Sequence, residues 1–151
     1  MSGRSWYRRA CDACREGMID EAIHTLIKDS TETGVDYMQN ADLRRAVERH
    51  PVIGARKLEE LGFPQPIVEA IRHHHEWYNG AGYPDGLKGE KIPAAARILA
   101  IADAYDAITS QRAYRPARSR EEAIGIVGDA AGTQFDPKHV GAFVEMMRGE
   151  P

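Results

Sequence analysis

The chain has 151 residues, 42% of them hydrophobic and 28% charged, a balance that fits one soluble domain and excludes disordered or collagen-like classes. Two cysteines, Cys11 and Cys14, cannot build a disulfide framework, and neither a membrane-length apolar run nor a signal-peptide pattern occurs, which points to a reducing, cytoplasmic setting. A net charge of −3, from 20 Lys and Arg against 23 Asp and Glu, excludes a strong overall pull toward DNA or an anionic membrane.

Helical spacing dominates from the start. Ile19, Ala22, Ile23, Leu26 and Ile27 predict a helix over about 6–28, and the Ser, Thr and Gly of 29–36 end it. A second helix opens near Asn40 and runs through Leu43 and Val47. Pro51 disfavours helical geometry in its predecessor, so His50 is expected at a bend. Pro51 suits the first turn of the next helix, which carries Val52, Ile53, Ala55, Leu58 and Leu61 and stops at Gly62. After a turn at 63–66, a further helix is expected over about 67–78.

The stretch 79–93 holds four Gly and two Pro and reads as a long ordered loop, which in a compact domain is often functional. The most apolar segment follows, through Ile98, Leu99, Ile101, Ala102, Ala104, Tyr105, Ala107 and Ile108, and reads as a helix buried on all sides. Two helices close the chain. Ser119 with Glu122 forms a capping box for one, Asp136 before Pro137 caps the other, and Gly132 separates them. No strand-like alternation of useful length occurs, so the expected class is all-α, a bundle of about six to seven helices. Residues 1–39 read as an amino-terminal part and 40–148 as the core of one compact domain.

On the helix expected over 67–78, Ile67, Val68, Ala70 and Ile71 define an apolar arc of about 160° at about 100° per residue. His74 and His75 fall inside that arc, and His73 falls outside it, beside Glu69 on the solvent side. Two adjacent imidazoles aimed into a core need polar partners. A single one is usually a hydrogen-bonded core residue, but a pair favours a metal. Asp103 and Asp106 on the apolar helix are acidic partners, for a metal or for a helix-to-helix hydrogen bond. His50, His74, His75 and Asp103 together make an N/O donor set for zinc, iron or manganese. Downstream, Arg112, Arg115, Arg118 and Arg120 fall within nine positions without an acid, and the planar guanidinium fork suits phosphate.

The run His74-His75-Glu76-Trp77-Tyr78-Asn79-Gly80-Ala81-Gly82-Tyr83-Pro84 resembles the H-H-E-x-x-D-G-x-G-Y-P signature of HD-GYP domains, with Asn79 in place of Asp. Agreement continues through Asp85 to Glu90, Ile92-Pro93, Asp103-Ala104-Tyr105-Asp106-Ala107 and Gly132-Thr133-Gln134-Phe135-Asp136-Pro137, so that residues 50 to about 143 resemble the later two-thirds of that domain. The resemblance implies an HD-superfamily helical bundle with a two- or three-metal centre, most often iron or manganese, that hydrolyses cyclic di-GMP to linear pGpG or GMP. It implies that His50, His74, His75 and Asp103 are metal ligands, and that Arg112, Arg115 and Tyr83 are on the substrate side. The chemistry is coherent, because paired ions activate water and neutralise a phosphodiester while two guanidinium groups orient it.

Upstream of His50 the family carries an H-D-x-G-K motif, and this chain has no His-Asp pair anywhere. The nearest segment is His24-Thr25-Leu26-Ile27-Lys28, which keeps the His and Lys at the motif's spacing. In that register His24 is a further metal ligand and Lys28 a catalytic lysine; in the alternative, His24 is a helix residue with no ligand role. Thr25 cannot serve as an anionic bridge, which predicts reduced activity and a weakly filled metal site. The competing expectation is a non-catalytic module that binds cyclic di-GMP, or a diguanylate cyclase through the Gly-Tyr-Pro loop, with a homodimer left open. A less favoured alternative is an HD-superfamily phosphohydrolase acting on another phosphoester. Cys11 and Cys14 have metal or redox spacing but no second pair and no βαβ setting, so no site is assigned to them. His139 is expected to face solvent or a capping carboxylate.

Overall fold

In the computed structural model, residues 41–111 and 116–149 are described. The expected helix over 6–28, with Cys11, Cys14, His24, Thr25 and Lys28, lies outside the described residues, as do Arg112 and Arg115. The chain divides into two units, residues 1–50 and 51–151.

The first unit contains α1 (Ala41–Glu48). The interruption ahead of Pro51 falls at Arg49, a turn residue, and His50 already opens α2 (His50–Glu60). The boundary between the units therefore cuts α2 at its first peptide bond, and His50 is carried by a helix whose other residues belong to the second unit.

In the second unit, α2 ends as the glycine predicts. Gly62 takes φ +74°, its N–H donates to the Glu59 carbonyl, and the Phe63 N–H donates to the Leu58 carbonyl, both at 3.0 Å. This is the paired-bond cap that a left-handed residue allows. It turns Phe63 back onto the small core of Ala55, Leu58 and Val68, where Ile67 and Ile71 of α3 (Gln65–Arg72) also pack. A single 3₁₀ turn (Gly89–Lys91) precedes α4 (Ala94–Thr109), which is followed by α5 (Arg120–Asp129) and α6 (Pro137–Gly149). The fold is all-α, and among the described residues no β-strand forms; one isolated bridge pairs Ala131 with Phe135.

Both closing helices carry the expected punctuation. Ser119 Oγ accepts the Glu122 N–H at 3.2 Å while Glu122 Oε2 accepts the Ser119 N–H at 2.9 Å. Asp136 Oδ1 accepts the Lys138 N–H at 2.9 Å. Helices α4, α5 and α6 enclose the larger core of Ile101, Ile108, Ala123, Val127, Phe135 and Val140, and the Tyr105 and Phe143 rings meet edge-on with centroids 5.4 Å apart. Each fully buried aliphatic side chain there contributes about 1.5–3 kcal/mol of transfer free energy.

The expectation that α4 is buried on all sides is corrected. Ile101 and Ile108, seven residues apart, face the core, whereas Ile98 is 53% exposed and Asp103 and Asp106 are exposed. Alanines supply much of the segment's apolar content, so its composition overstates how much of its surface has a packing partner.

Candidate metal centre

Helix α3 ends at Arg72, earlier than the periodicity suggests, and residues 73–75 continue as a turn. The 100° step therefore stops applying at His73. The expectation that His73 faces solvent is corrected: it is the most buried of the three histidines, at 6% exposure, while His74 and His75 are half-buried. The His73 N–H still donates to the Glu69 carbonyl at 3.1 Å, closing the last helical turn.

His74 and His75, both in the second unit, each present a ligand atom, and these atoms lie within 4.8 Å of each other. Nδ1–H of His50 donates to the Val47 carbonyl at 2.7 Å, and Nδ1–H of His74 donates to the Ile71 carbonyl at 2.6 Å. A carbonyl only accepts, so these bonds fix the tautomer and leave the lone pair of the neutral ring on Nε2, the arrangement that orients metal-bound histidines. The His74 and His75 ring centroids are 4.0 Å apart at 39°. Imidazole nitrogens are donors that a first-row divalent metal takes at about 2.1 Å, and it is the chemistry of these donors that suits such an ion. Asp103, exposed on α4, forms no such group with His74 and His75.

A second group, His73, Glu76 and Asp85, is equally tight, but its atoms are engaged differently. Glu76, 3% exposed, accepts the Asp85 N–H on Oε1 at 2.7 Å and the Leu87 N–H on Oε2 at 3.0 Å. Arg72 grips Asp85 with two bonds, Nε to Oδ2 at 2.9 Å and Nη2 to Oδ1 at 3.0 Å. The His73 ring lies between two acceptors, with Nδ1 3.0 Å from the Glu69 carbonyl oxygen and Nε2 2.9 Å from Asp85 Oδ2, and it donates to one of them in either neutral tautomer. The hydrogen bond from Arg72, opposed by burial and supported by His73, holds the Asp85 carboxyl below its usual range. Sequence spacing did not single out His73, Glu76 or Asp85; a third consecutive histidine next to a glutamate was the available signal.

These contacts place the Gly-Tyr-Pro loop. The Tyr83 N–H donates to the His75 carbonyl at 3.1 Å, and the Tyr83 ring centroid is 5.1 Å from that of His75. A Cβ on Gly82 would stand 2.2 Å from the Trp77 nitrogen and 2.4 Å from the His75 oxygen, so only glycine fits there. From the other side, the Tyr78 and Asn79 N–H groups donate to the Gln134 and Thr133 carbonyls at 3.0 and 2.9 Å. Asn79 Oδ1 accepts the Ala81 N–H at 2.9 Å, a role an amide oxygen fills as well as a carboxylate, which accounts for Asn where the signature has Asp. His139, for its part, meets the capping carboxylate of Asp136 at 2.9 Å.

The family model described as HD domain matches residues 35–139. A cyclic di-GMP phosphodiesterase of Vibrio cholerae serotype O1 is 42% identical over 105 residues, which are 65% of this chain and 21% of that protein. The cyclic di-GMP phosphodiesterase response regulator RpfG of Xanthomonas campestris pv. campestris is 41% identical over 105 residues, 68% of this chain and 28% of that one. Among solved structures, a cyclic GMP-AMP specific phosphodiesterase of V. cholerae (V-cGAP3) superposes with a TM-score of 0.61 at 32% identity, covering 82% of this chain and 27% of that one. The chain thus spans about a quarter of the length of these relatives. With the family match running through the histidines and the Gly-Tyr-Pro loop, the chain belongs to the HD domain family, in its HD-GYP branch.

Proposed function

We propose that this domain is an HD-GYP-type metal-dependent phosphodiesterase acting on cyclic di-GMP, with reduced activity. The observation that carries the reading is the pairing of the His74 and His75 rings, with centroids 4.0 Å apart and the His74 tautomer set by a backbone carbonyl. Relatives at 41% and 42% identity that are named cyclic di-GMP phosphodiesterases support the substrate. Iron or manganese is the proposed metal, with His50, His74, His75 and His24 as proposed ligands and Asp103, which does not group with the histidines in the structure, as a proposed further one; when bound, it activates water and neutralises phosphodiester charge.

The chain's own residues bind and orient. The Tyr83 ring lies beside His75 and offers a surface for the substrate, Arg112 and Arg115 are proposed to clamp its phosphates by charge-assisted bonds, and Lys28 is the proposed catalytic lysine. Two cysteines and no membrane-length helix among the described residues accord with a cytoplasmic setting. Recruitment of a diguanylate cyclase through residues 80–84, and self-association, are separate proposals that co-purification and sedimentation test.

A second reading concerns the substrate alone. Three V. cholerae relatives, 33–39% identical, are named 3'3'-cGAMP-specific phosphodiesterases, and cGAMP shares the cyclic phosphodiester core. Metal analysis of the purified chain, with parallel hydrolysis assays of cyclic di-GMP and 3'3'-cGAMP, tests both. Turnover of cyclic di-GMP that disappears in His74→Ala together with the metal is the expected result. Turnover of cGAMP only would replace the substrate, and turnover of neither by the metal-loaded chain would overturn the reading. Calorimetry with cyclic di-GMP on an Arg112→Ala, Arg115→Ala double mutant tests the phosphate clamp, which fails if binding is unchanged.

A further inference from the structure

We propose that His73 and Glu76 are positioning residues: they fix loop 79–88 against His75, so that the Tyr83 ring stays beside the metal-binding histidines, and they take no metal themselves. The kinetic arm rests on the phosphodiesterase reading above; the exchange and metal-binding arms do not.

Beside the ligand atoms of His74 and His75 in the sequence, the group of His73, Glu76 and Asp85 also has ligand atoms within 4.8 Å of one another, so geometry alone makes it a candidate metal site too. Their bonding separates them. In the group of His73, Glu76 and Asp85, both Glu76 oxygens accept backbone N–H groups of the loop and both Asp85 oxygens accept from Arg72. A cation entering there would meet the Arg72 guanidinium and displace all four of these bonds, each of which leaves a costly donor or acceptor behind if broken. His74, by contrast, gives Nδ1–H to a backbone carbonyl, that of Ile71, a contact that involves no loop N–H and no guanidinium.

Beyond the Asn79 and Gly80 N–H bonds to the Thr133 and Trp77 carbonyls at its start, the loop is held at points on either side of the Tyr83 ring. At one, the backbone of Gly82 sits against residues 75–77 too closely for any Cβ, and the Tyr83 N–H reaches the His75 carbonyl. At the other, Glu76 takes the N–H groups of residues 85 and 87, while His73 and Arg72 take the Asp85 side chain. Between these points lies Tyr83-Pro84. Releasing the second point frees Tyr83 to move away from His75 without removing any atom from His74 or His75. The buried carboxylate at position 76 and the buried ring at 73 are thereby explained by the loop they hold.

The test compares wild type with Glu76→Gln and the milder Asp85→Asn, using amide hydrogen exchange, manganese titration by calorimetry, and steady-state hydrolysis of cyclic di-GMP. Glu76→Gln turns one acceptor into an N–H₂ group facing a backbone N–H. The amide of Asp85 or Leu87 is expected to exchange about tenfold faster or more, with manganese stoichiometry unchanged and KM raised more than kcat is lowered. Unchanged exchange at both amides, or loss of a manganese equivalent, overturns the proposal, the latter by making the group a metal site. Should Glu76→Gln fail to fold, Asp85→Asn at an exposed position carries the same readouts, with loop exchange faster by about threefold or more and manganese binding retained; unchanged exchange there overturns the proposal equally. A wild-type chain that hydrolyses no cyclic dinucleotide defeats the phosphodiesterase reading, while exchange and manganese binding still decide the roles of His73 and Glu76.

Discussion

Arg97 and Asp136 stand 39 residues apart in the chain and meet as a buried ion pair between the first turn of α4 and the cap of α6. Arg97 also donates Nε–H back to the Ile92 carbonyl at 3.0 Å. Asp136, 4% exposed, caps α6 through the Lys138 N–H and takes the His139 ring at 2.9 Å. One carboxylate thereby links the exit of the Gly-Tyr-Pro loop to the last helix.

Removing Arg97 leaves that carboxylate buried with its strongest donor gone. Breaking one side of a buried pair is far costlier than the pair's net worth, because the remaining charge stays desolvated. Arg97→Ala is expected to destabilise the domain by about 3 kcal/mol, read as a lower urea midpoint. Asp136→Asn, which keeps an oxygen for the cap, is expected to cost clearly less. Equal costs would show that the cap, and not the ion pair, is what Asp136 provides.

Acid sensitivity follows from the same carboxylate and from Asp85. Burial pushes Asp136 upward, but the Lys138 N–H, Arg97 and His139 together outweigh it and hold the group below 3.8. Asp85 is likewise lowered, chiefly by Arg72. A folded value below the unfolded one stabilises the fold, fully above pH 3.8, and that contribution is lost as pH falls through the folded value. Thermal melts stepped from about pH 5 to about pH 3 are expected to fall most steeply below about pH 4. In Arg97→Ala the decline begins at higher pH, because Asp136 loses a partner that lowers it.

Much of this was legible in local chemistry. Gly62, Ser119 with Glu122, and Asp136 before Pro137 each mark a helix end by a bond made within a few residues, and each bond is present. The bend expected at His50 falls instead one residue earlier, at Arg49, and His50 is the first residue of α2. His73 was misplaced because helical periodicity was carried past the residue where the helix stops. The exposure of Ile98, the reach of Arg97 to Asp136, and the grip of Glu76 on residues 85 and 87 depend on partners brought by tertiary folding, which no spacing rule over one segment contains.

Two glycines give opposite predictions. At Gly82 an added Cβ would fall 2.2 Å from the Trp77 nitrogen, 2.4 Å from the His75 oxygen and 2.6 Å from the Glu76 carbonyl carbon. All three are backbone atoms, so no side-chain rotation relieves the overlap. Gly82→Ala is expected to cost about 3 kcal/mol and to separate Tyr83 from His75. Gly125, in the interior of α5 with nothing within 4 Å of an added Cβ, is expected to gain about 0.5–1 kcal/mol on substitution by Ala through helix propensity. Urea unfolding of the two variants checks the sign of each.

The last prediction concerns the missing His-Asp pair. Imidazoles bring no negative charge to a divalent ion, and in the proposed register that sets His24-Thr25 against the family's His-Asp pair, Thr25 brings none either. The wild-type chain is therefore expected to purify with substoichiometric metal and to turn over cyclic di-GMP slowly. Thr25→Asp is expected to raise bound manganese or iron per chain and to raise the hydrolysis rate roughly tenfold or more, while His74→Ala in that background removes both gains. If Thr25→Asp changes neither metal content nor rate, His24 does not stand at the motif's position. A wild-type rate equal to that of the Asp variant would instead mean that a neighbouring acid, Asp20, Glu21 or Asp29, already supplies the charge, and alanine substitution of each in turn would then identify it.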